Sequence, residues 1–409
     1  MYLVMAKSKV RSGTCSSATV LLPLPPGPWP WPVVGSLPEL VLSKPAFRWI
    51  HRVMKDMGTD IACFRLGSVH VVPITCPKIA REVLKKQDKN FSSRPLTFAS
   101  GTISSGYKDA VLSFAFCVSD YLPCLLGLDL DGHEKIIKEA NTKVDRLHNV
   151  VIEERWRQWN SGERQDGVQD FLDVLITLAN GDGKPLLSID EVKAQSKGII
   201  LAAIDNPSNA VEWALAEMVN NPELLAKAVE EMDRVVGRER LVQESDIMHL
   251  NYLKACIREA FRLHPIAPFN LPHVAIADTI VAGYRVPKGS HVILSRLALG
   301  RNPAVWDEPL HFKPERHMGD NINVVLTESE LRFISFSTGR RGCIAASLGT
   351  TMSVMLFGRL LHGFTWTKPA GVSAINLSES KHDLFKEKPL VLHAEPRLAV
   401  HLYPLIMHR

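Results

Sequence analysis

The sequence predicts a mainly α-helical chain with small β-sheets, an α+β fold, and three observations carry that expectation. Apolar residues recur at helical spacing over long stretches, notably 131–159, 190–220 and 252–264. Runs of strand-forming residues are few and short. With 46% hydrophobic residues in 409, the chain can bury a sizeable core. Its 48 Lys and Arg against 43 Asp and Glu leave a net charge of +5, and no cationic run interleaves with aromatics, which argues against nucleic-acid binding. Seven cysteines, odd in number and without a Cys-x-x-Cys pair, argue against a disulfide framework or zinc finger and fit a reducing compartment.

Met1 to Ala6 is apolar, but Lys7, Lys9 and Arg11 follow, far short of the roughly 20 apolar residues of a membrane span. A Ser-rich stretch leads into Pro23, Pro25, Pro26, Pro28, Pro30 and Pro32, interleaved with Trp29 and Trp31 and closed by Gly35. Such a run favours extended polyproline II and reads as a stiff spacer or a docking ligand. Phe47, Ile50, Met54 and Met57 mark an amphipathic helix. Ile61–Leu66 and His70–Ile74, parted by Gly67 and Ser68, read as a hairpin. Pro77 can open a helix, and the Ser/Gly-rich segment 92–106 reads as a loop. Helical period returns over 131–159, and 171–178 reads as a buried helix.

From Asp190 to Asn220 one long helix is expected, capped by Ser188 or Asp190, with Ile199, Ile200, Ala203, Val211, Leu215 and Met218 on its apolar side. Pro207 in its middle removes a backbone donor at a cost of about 3 kcal/mol. Either the segment is two helices joined by a turn, or the proline opens a helix beside a buried site where Asp205, Asn206, Ser208 and Asn209 offer polar groups to a ligand. In the helix from Tyr252 to His264, Glu259 and Arg262 share a face, by itself an ordinary surface pair. Pro314-Glu315-Arg316-His317 supplies another arginine. Cys343 follows Arg340 and Arg341 and precedes an apolar helix expected over 344–357, surroundings that favour thiolate. Local chemistry leaves a nucleophile, a redox sensor, a metal ligand and an inert cysteine all open.

Taken together, Phe336-x-x-Gly339-x-Arg341-x-Cys343, Glu259-x-x-Arg262 and Pro314-Glu315-Arg316 resemble, in order and separation, three motifs of the cytochrome P-450 family. Asp205-Asn206-Pro207-Ser208-Asn209, Phe261-Arg-Leu-His-Pro265, Pro268-Phe-Asn-Leu-Pro-His273 and His317 narrow the likeness to the plant amino-acid N-monooxygenases. The stretches Gly342–Gly349, Leu392–Arg397 and His401–Pro404 are similar to the cereal branch that acts on tyrosine. The resemblance implies a haem-thiolate enzyme that N-hydroxylates an amino acid to its aldoxime, with dioxygen and with electrons from NADPH through a flavin-containing reductase. It places such an enzyme in cyanogenic glucoside biosynthesis, on the cytosolic face of the endoplasmic reticulum membrane. Cys343 becomes the axial ligand of haem b. Arg341 and His273 meet its propionates, Phe336 and Gly339 shape its loop, and Asp205 and Asn206 stand over its distal face as catalytic candidates. Glu259, Arg262 and Arg316 form a buried structural network. Residues 1–22 become the remnant of an anchor with its linker, 23–35 the hinge, and 36–409 the haem domain.

The chain departs from that pattern in places that matter. After Ser113 the sequence passes directly to Phe114, where the family carries about a hundred further residues holding the C to E helices. None of the eight tryptophans is followed four residues later by arginine, so the Trp-x-x-x-Arg of the C-helix, a propionate contact, is missing. Ala345 replaces the glycine common after the cysteine. The expected consequence is an incomplete P-450 fold with exposed apolar surface, and the competing expectation is a catalytically impaired remnant with weak haem binding. A P-450 that hydroxylates terpenoids or fatty acids is the runner-up among enzymes, and the Asn-Pro-Ser-Asn sequence counts against it.

Overall fold

A computed structural model describes residues 22–104, 106, 116–164, 166–319 and 323–403. The Ser113–Phe114 join and residues 1–21 lie outside the described residues. The Pro-rich segment packs on the domain: the carbonyl of Pro26 accepts from Cys63 N at 2.8 Å and that of Pro23 from Arg285 N at 2.9 Å. Gly27 passes so close that a Cβ would meet the Cys63 carbonyl oxygen at 1.9 Å, which no side chain permits.

Helix α1 (Leu37–Leu42) precedes α2 (Ala46–Asp56), whose Phe47, Ile50 and Met54 are buried as the period requires, while Met57 lies past its end and is exposed. The expected hairpin forms as β1 (Phe64–Leu66) and β2 (Val69–Ile74), with Phe64 opposite Val71. Pro77 opens α3 (Pro77–Arg81), which runs into a wider turn over Glu82–Lys86. Within the segment read as a loop lies α4 (Phe98–Ile103). Its small residues show no apolar period, and a reciprocal cap between Thr97 and Ser100 starts it.

After the short α5 (Val118–Tyr121), α6 (His133–Ser161) runs between Gly132 and Gly162. Helix α7 (Phe171–Thr177) differs from the expected buried helix. It buries Asp173 and Ile176 against α6 and leaves Phe171 57% exposed. Helix α8 (Ile189–Asn220) is continuous through Pro207, with Ser188 and Glu191 forming the cap. Flanking the proline, Asn206 Nδ2 donates to the Ala202 carbonyl and Ser208 Oγ to that of Ile204, each at 2.8 Å. The C-terminal half of α8 joins α9 (Pro222–Val235) and α10 (Asn251–Leu263) in the main core through Val211, Leu215, Met218, Met232 and Leu253.

Beyond α10 come β3 (His273–Val274), β4 (Thr279–Val281), β5 (Tyr284–Val286), β6 (His291–Leu294) and the one-turn α11 (Arg296–Gly300). The main sheet has order β1-β2-β6-β3, with β2 and β6 parallel and the outer pairs antiparallel. Helix α12 (Ala346–Gly363) starts two residues later than expected and ends in the pair β7 (Phe364–Thr367) and β8 (His393–Pro396). Its inner face, Val354, Phe357 and Leu361, is core. Its outer face is not covered: Ile344, just ahead of it, is 95% exposed and Leu348 50%, with Met352 and Leu356 in line. Ile200, on the expected apolar side of α8, is likewise exposed, as are Leu201 and Ile204. No helix of the described residues is long and apolar enough to cross a membrane.

Candidate functional site

The loop before α12 is held by its own backbone. Cys343 N donates to the Phe336 carbonyl at 2.8 Å and Gly342 N to that of Gly339 at 3.0 Å. Gly339 has φ +76°, and a Cβ there would stand 2.4 Å from the Leu84 carbonyl, so the loop needs glycine to sit on the end of the Glu82–Lys86 turn. Phe336 packs edge-on against Phe261 of α10, ring centroids 5.7 Å apart. With both ends pinned, the Cys343 thiol is exposed.

Beside it three cationic or protonatable groups converge. His273 is buried, with Nδ1 donating to the Phe91 carbonyl at 2.8 Å and Nε2 buried without a partner. Arg94 Nη1 donates to the carbonyls of Leu271 (2.7 Å) and Pro272 (2.8 Å), and its Nη2 reaches the Arg341 carbonyl at 3.5 Å. Arg341 Nε donates to the Ser92 carbonyl at 2.5 Å. Burial pulls the His273 pKa down to about 3, helped by Arg94 and Arg341, and burial followed by Arg341 pulls Arg94 down to about 10. His273 and Arg341 line one cavity whose single carboxylate, Asp88, stands 3.5 Å from Arg340 Nε. Among the described residues no carboxylate pairs with Arg341, with Arg94 beside it or with the unpartnered imidazole nitrogen.

Behind the loop, the expected network is present and larger than its motif. Glu259 accepts from Arg262 Nε and Nη2 at 2.8 and 2.7 Å, from Arg316 Nε at 3.0 Å and from His317 Nε2 at 2.8 Å. Burial pushes the Glu259 pKa up, but its bonds to Arg262 and His317 outweigh that and hold it at about 2. Arg262 also donates to the carbonyls of Gly300, Pro309 and His311, which ties α10 to the segment carrying Arg316.

Asp205 and Asn206 are exposed on α8, just before Pro207. Asn206 lines a cavity with Asn209, Phe261, Arg296, Ile334 and Ser335, the last two immediately ahead of Phe336. The structure thus gathers Cys343, Arg341, His273, Phe336 and Gly339 around one loop and brings α8 up to its other side. Sequence reasoning missed Arg94, Arg296 and the bond from His317 to Glu259. Arg94 falls in the segment read as a loop, and a single arginine in either place carries no spacing signal.

A model of the Cytochrome P-450 family matches residues 25–115 and 102–394. The chain belongs to this family, whose members are monooxygenases built on a thiolate-ligated haem iron. It is 58% identical to tyrosine N-monooxygenase of Sorghum bicolor, over 99% of this chain and 93% of that protein. Tryptophan N-monooxygenase 1 of Arabidopsis thaliana and valine N-monooxygenase 2 of Manihot esculenta are each 46% identical, over 91% and 93% of this chain and 88% and 89% of those proteins. The alignment with the sorghum protein runs over 522 positions, more than the 409 residues here, so that relative has positions with no counterpart in this chain. A zebrafish cytochrome P-450 solved with progesterone superposes with a TM-score of 0.69 at 21% identity, over 87% of this chain and all of that one, which bears on the fold.

The residues present fit a haem. The unpartnered Nε2 of His273 and the anion-poor pocket it shares with Arg341 suit carboxylates, and the exposed Cys343 offers a sulfur ligand beside them.

Proposed function

We propose that this chain is an amino-acid N-monooxygenase with tyrosine as its preferred substrate, converting it to the aldoxime for cyanogenic glucoside biosynthesis. The likeness to the sorghum enzyme at 58% identity over nearly the whole chain carries this reading. Dioxygen is the co-substrate, NADPH supplies electrons through a flavin-containing P-450 reductase, and the cytosolic face of the endoplasmic reticulum membrane is the setting. Residues 23–35 form the hinge and 36–409 the haem domain, shortened after Ser113; the family match in two pieces, 25–115 and 102–394, supports the break.

Cys343 would hold the iron, and Arg94, Arg341 and protonated His273 the propionates. When bound, the haem supplies the iron at which dioxygen is activated for transfer of one oxygen atom to the substrate nitrogen. The chain's own residues fix the rest. The Cys343 N–H bond to Phe336 sets the loop so that the sulfur projects outward. An anion beside His273 favours its imidazolium, whose Nε2–H then has an acceptor. Asp205 and Asn206, exposed next to the proline, can hold a water or an amino group by hydrogen bonds.

A specific observation favours the second reading, an impaired relative. The apolar stripe of Ile344, Leu348, Met352 and Leu356 and the exposed Ile200, Leu201 and Ile204 are uncovered among the described residues, on the two helices that flank the site. Such a face admits water to the site and weakens haem retention. The deciding measurement is the carbon monoxide difference spectrum of the reduced, haem-supplemented protein, followed by turnover of tyrosine with reductase and NADPH. A thiolate-type Soret band and formation of the oxime support the enzyme. No band, beside a control P-450 that gives one, establishes the impaired form, and product from a terpenoid without oxime overturns the substrate.

A further inference from the structure

The cavity between α8 and α11 contains three buried polar atoms with no hydrogen-bond partner: Asn209 Oδ1, Arg296 Nε and Ser335 Oγ. Buried polar groups in folded proteins are almost always paired, so three orphans around one small space call for a ligand. Their chemistry is complementary in kind. Asn209 is 3% exposed, and its Nδ2 already donates to the His264 carbonyl at 3.3 Å, which fixes Oδ1 as the free acceptor. Arg296 is a donor with a full charge, and among the described residues no carboxylate pairs with it. Its backbone N is held by the Pro268 carbonyl at 2.9 Å, and it opens α11, so the side chain has a rigid base. Phe261 and Ile334 supply apolar wall.

We propose that this cavity binds the α-amino and α-carboxylate groups of the amino-acid substrate: Arg296 pairs with the carboxylate, Asn209 Oδ1 accepts from the ammonium, and Ser335 Oγ completes the carboxylate's bonds. The proposal rests on the amino-acid reading above and deepens it by naming what separates an amino acid from an amine. A haem propionate shares the carboxylate chemistry. The propionates have their own cationic cradle at Arg94, Arg341 and His273, the last two lining a different cavity, whereas Arg296 shares its space with Asn206 and Asn209 of α8. Burial pulls the Arg296 pKa to about 10, opposed by the nearby Cys343, so the guanidinium stays charged at neutral pH. Guanidinium and carboxylate match as a two-pronged, charge-assisted pair, which lysine reproduces only as a point charge.

Equilibrium dialysis of the full chain, with and without added haem, against labelled L-tyrosine and tyramine tests this. Haem content of each variant is read from its absorbance as a pyridine complex. The wild type should retain tyrosine over tyramine by about tenfold or more, the order expected of one charge-assisted pair. Arg296→Gln should remove that preference without changing tyramine retention or haem content, Arg296→Lys should restore part of it, and Asn209→Leu should weaken both ligands. Equal retention of tyrosine and tyramine by the wild type, or an undiminished preference in Arg296→Gln, overturns the assignment of Arg296 and leaves the enzyme class standing. Loss of haem with the preference kept assigns Arg296 to a propionate instead. A wild type that retains none of tyrosine, tryptophan, valine or phenylalanine overturns the amino-acid reading itself.

Discussion

Nε2 of His317 donates to Oε2 of Glu259 at 2.8 Å, while its Nδ1 accepts from Nε of Arg258 at 3.2 Å. One donor and one acceptor bond fix the neutral Nε2–H tautomer. Burial lowers the His317 pKa, with Glu259 opposing it, in accord with that tautomer. Glu259 thereby becomes the hub for Arg262, Arg316 and His317 in a wholly buried site. Removing the carboxylate strands these groups without an anion. Glu259→Gln should cost about 3–5 kcal/mol, read as a lower urea midpoint for the isolated chain. His317→Phe removes one hydrogen bond on each side and should cost about 1–2 kcal/mol. Equal losses in the two variants would contradict the hub.

Acid should destabilise the chain in a defined window. Burial holds His273 at about 3 and His51 and His291 at about 4 in the folded state, all below the ordinary value of 6.5. Between these values the unfolded chain binds protons that the folded chain does not, so stability falls as the pH drops below about 6.5 and is fully present above it. Each such histidine contributes a slope of up to about 1.4 kcal/mol per pH unit. Urea midpoints of the haem-free chain at pH 7.5, 6 and 5 should fall in that order, and His291→Gln should flatten the fall. A midpoint that rises on acidification contradicts the assignment.

The long elements were legible because period and caps agree. Ser188 announces α8, and the sequence around Glu259, Arg316 and Cys343 announces a buried network and a loop that the fold places side by side. Pro207 left the integrity of α8 open, since backbone chemistry alone does not say whether packing of Val211, Leu215 and Met218 holds the helix together across the gap. Burial was the poorer reading. Ile200, Phe171 and Leu348 have core periodicity yet are exposed, because periodicity records the surface that a helix was shaped to cover and not whether its partner is present. Arg94 and Arg296 were invisible for a different reason. Each acts at a point where distant segments meet, Arg94 with Leu271 and Pro272 and Arg296 with Asn209, and no local pattern marks such a meeting.

Replacing His273 by arginine should have opposite effects with and without haem. Next to Arg94 and Arg341 a permanent third charge has no anion in the haem-free chain, and the buried carbonyl of Phe91 keeps a donor only if the longer side chain still reaches it. His273→Arg should therefore lower the urea midpoint without haem. With haem the same charge faces the propionates, so transfer of haem to an apomyoglobin acceptor should slow by several-fold relative to the wild type. A variant that loses haem faster removes His273 from the propionate cradle.

Self-association should follow from the uncovered face. Leu348, Met352 and Leu356 recur every four residues on one side of α12, in line with Ile344 just ahead of the helix, and Leu348 is 50% exposed. A row of large apolar side chains on one helix face, with Ile200 and Ile204 of α8 also exposed, exceeds the scattered singles normal on a soluble surface. Leu348→Lys with Met352→Lys should reduce the mean particle mass in light scattering at equal protein concentration. Because the two side chains point away from Val354 and Phe357, the substitutions should leave the urea midpoint within about 0.5 kcal/mol of wild type. A particle mass that does not fall would mean that other residues already cover the stripe, and the double variant would then lose several kcal/mol of stability, as charges placed in a packed interface do.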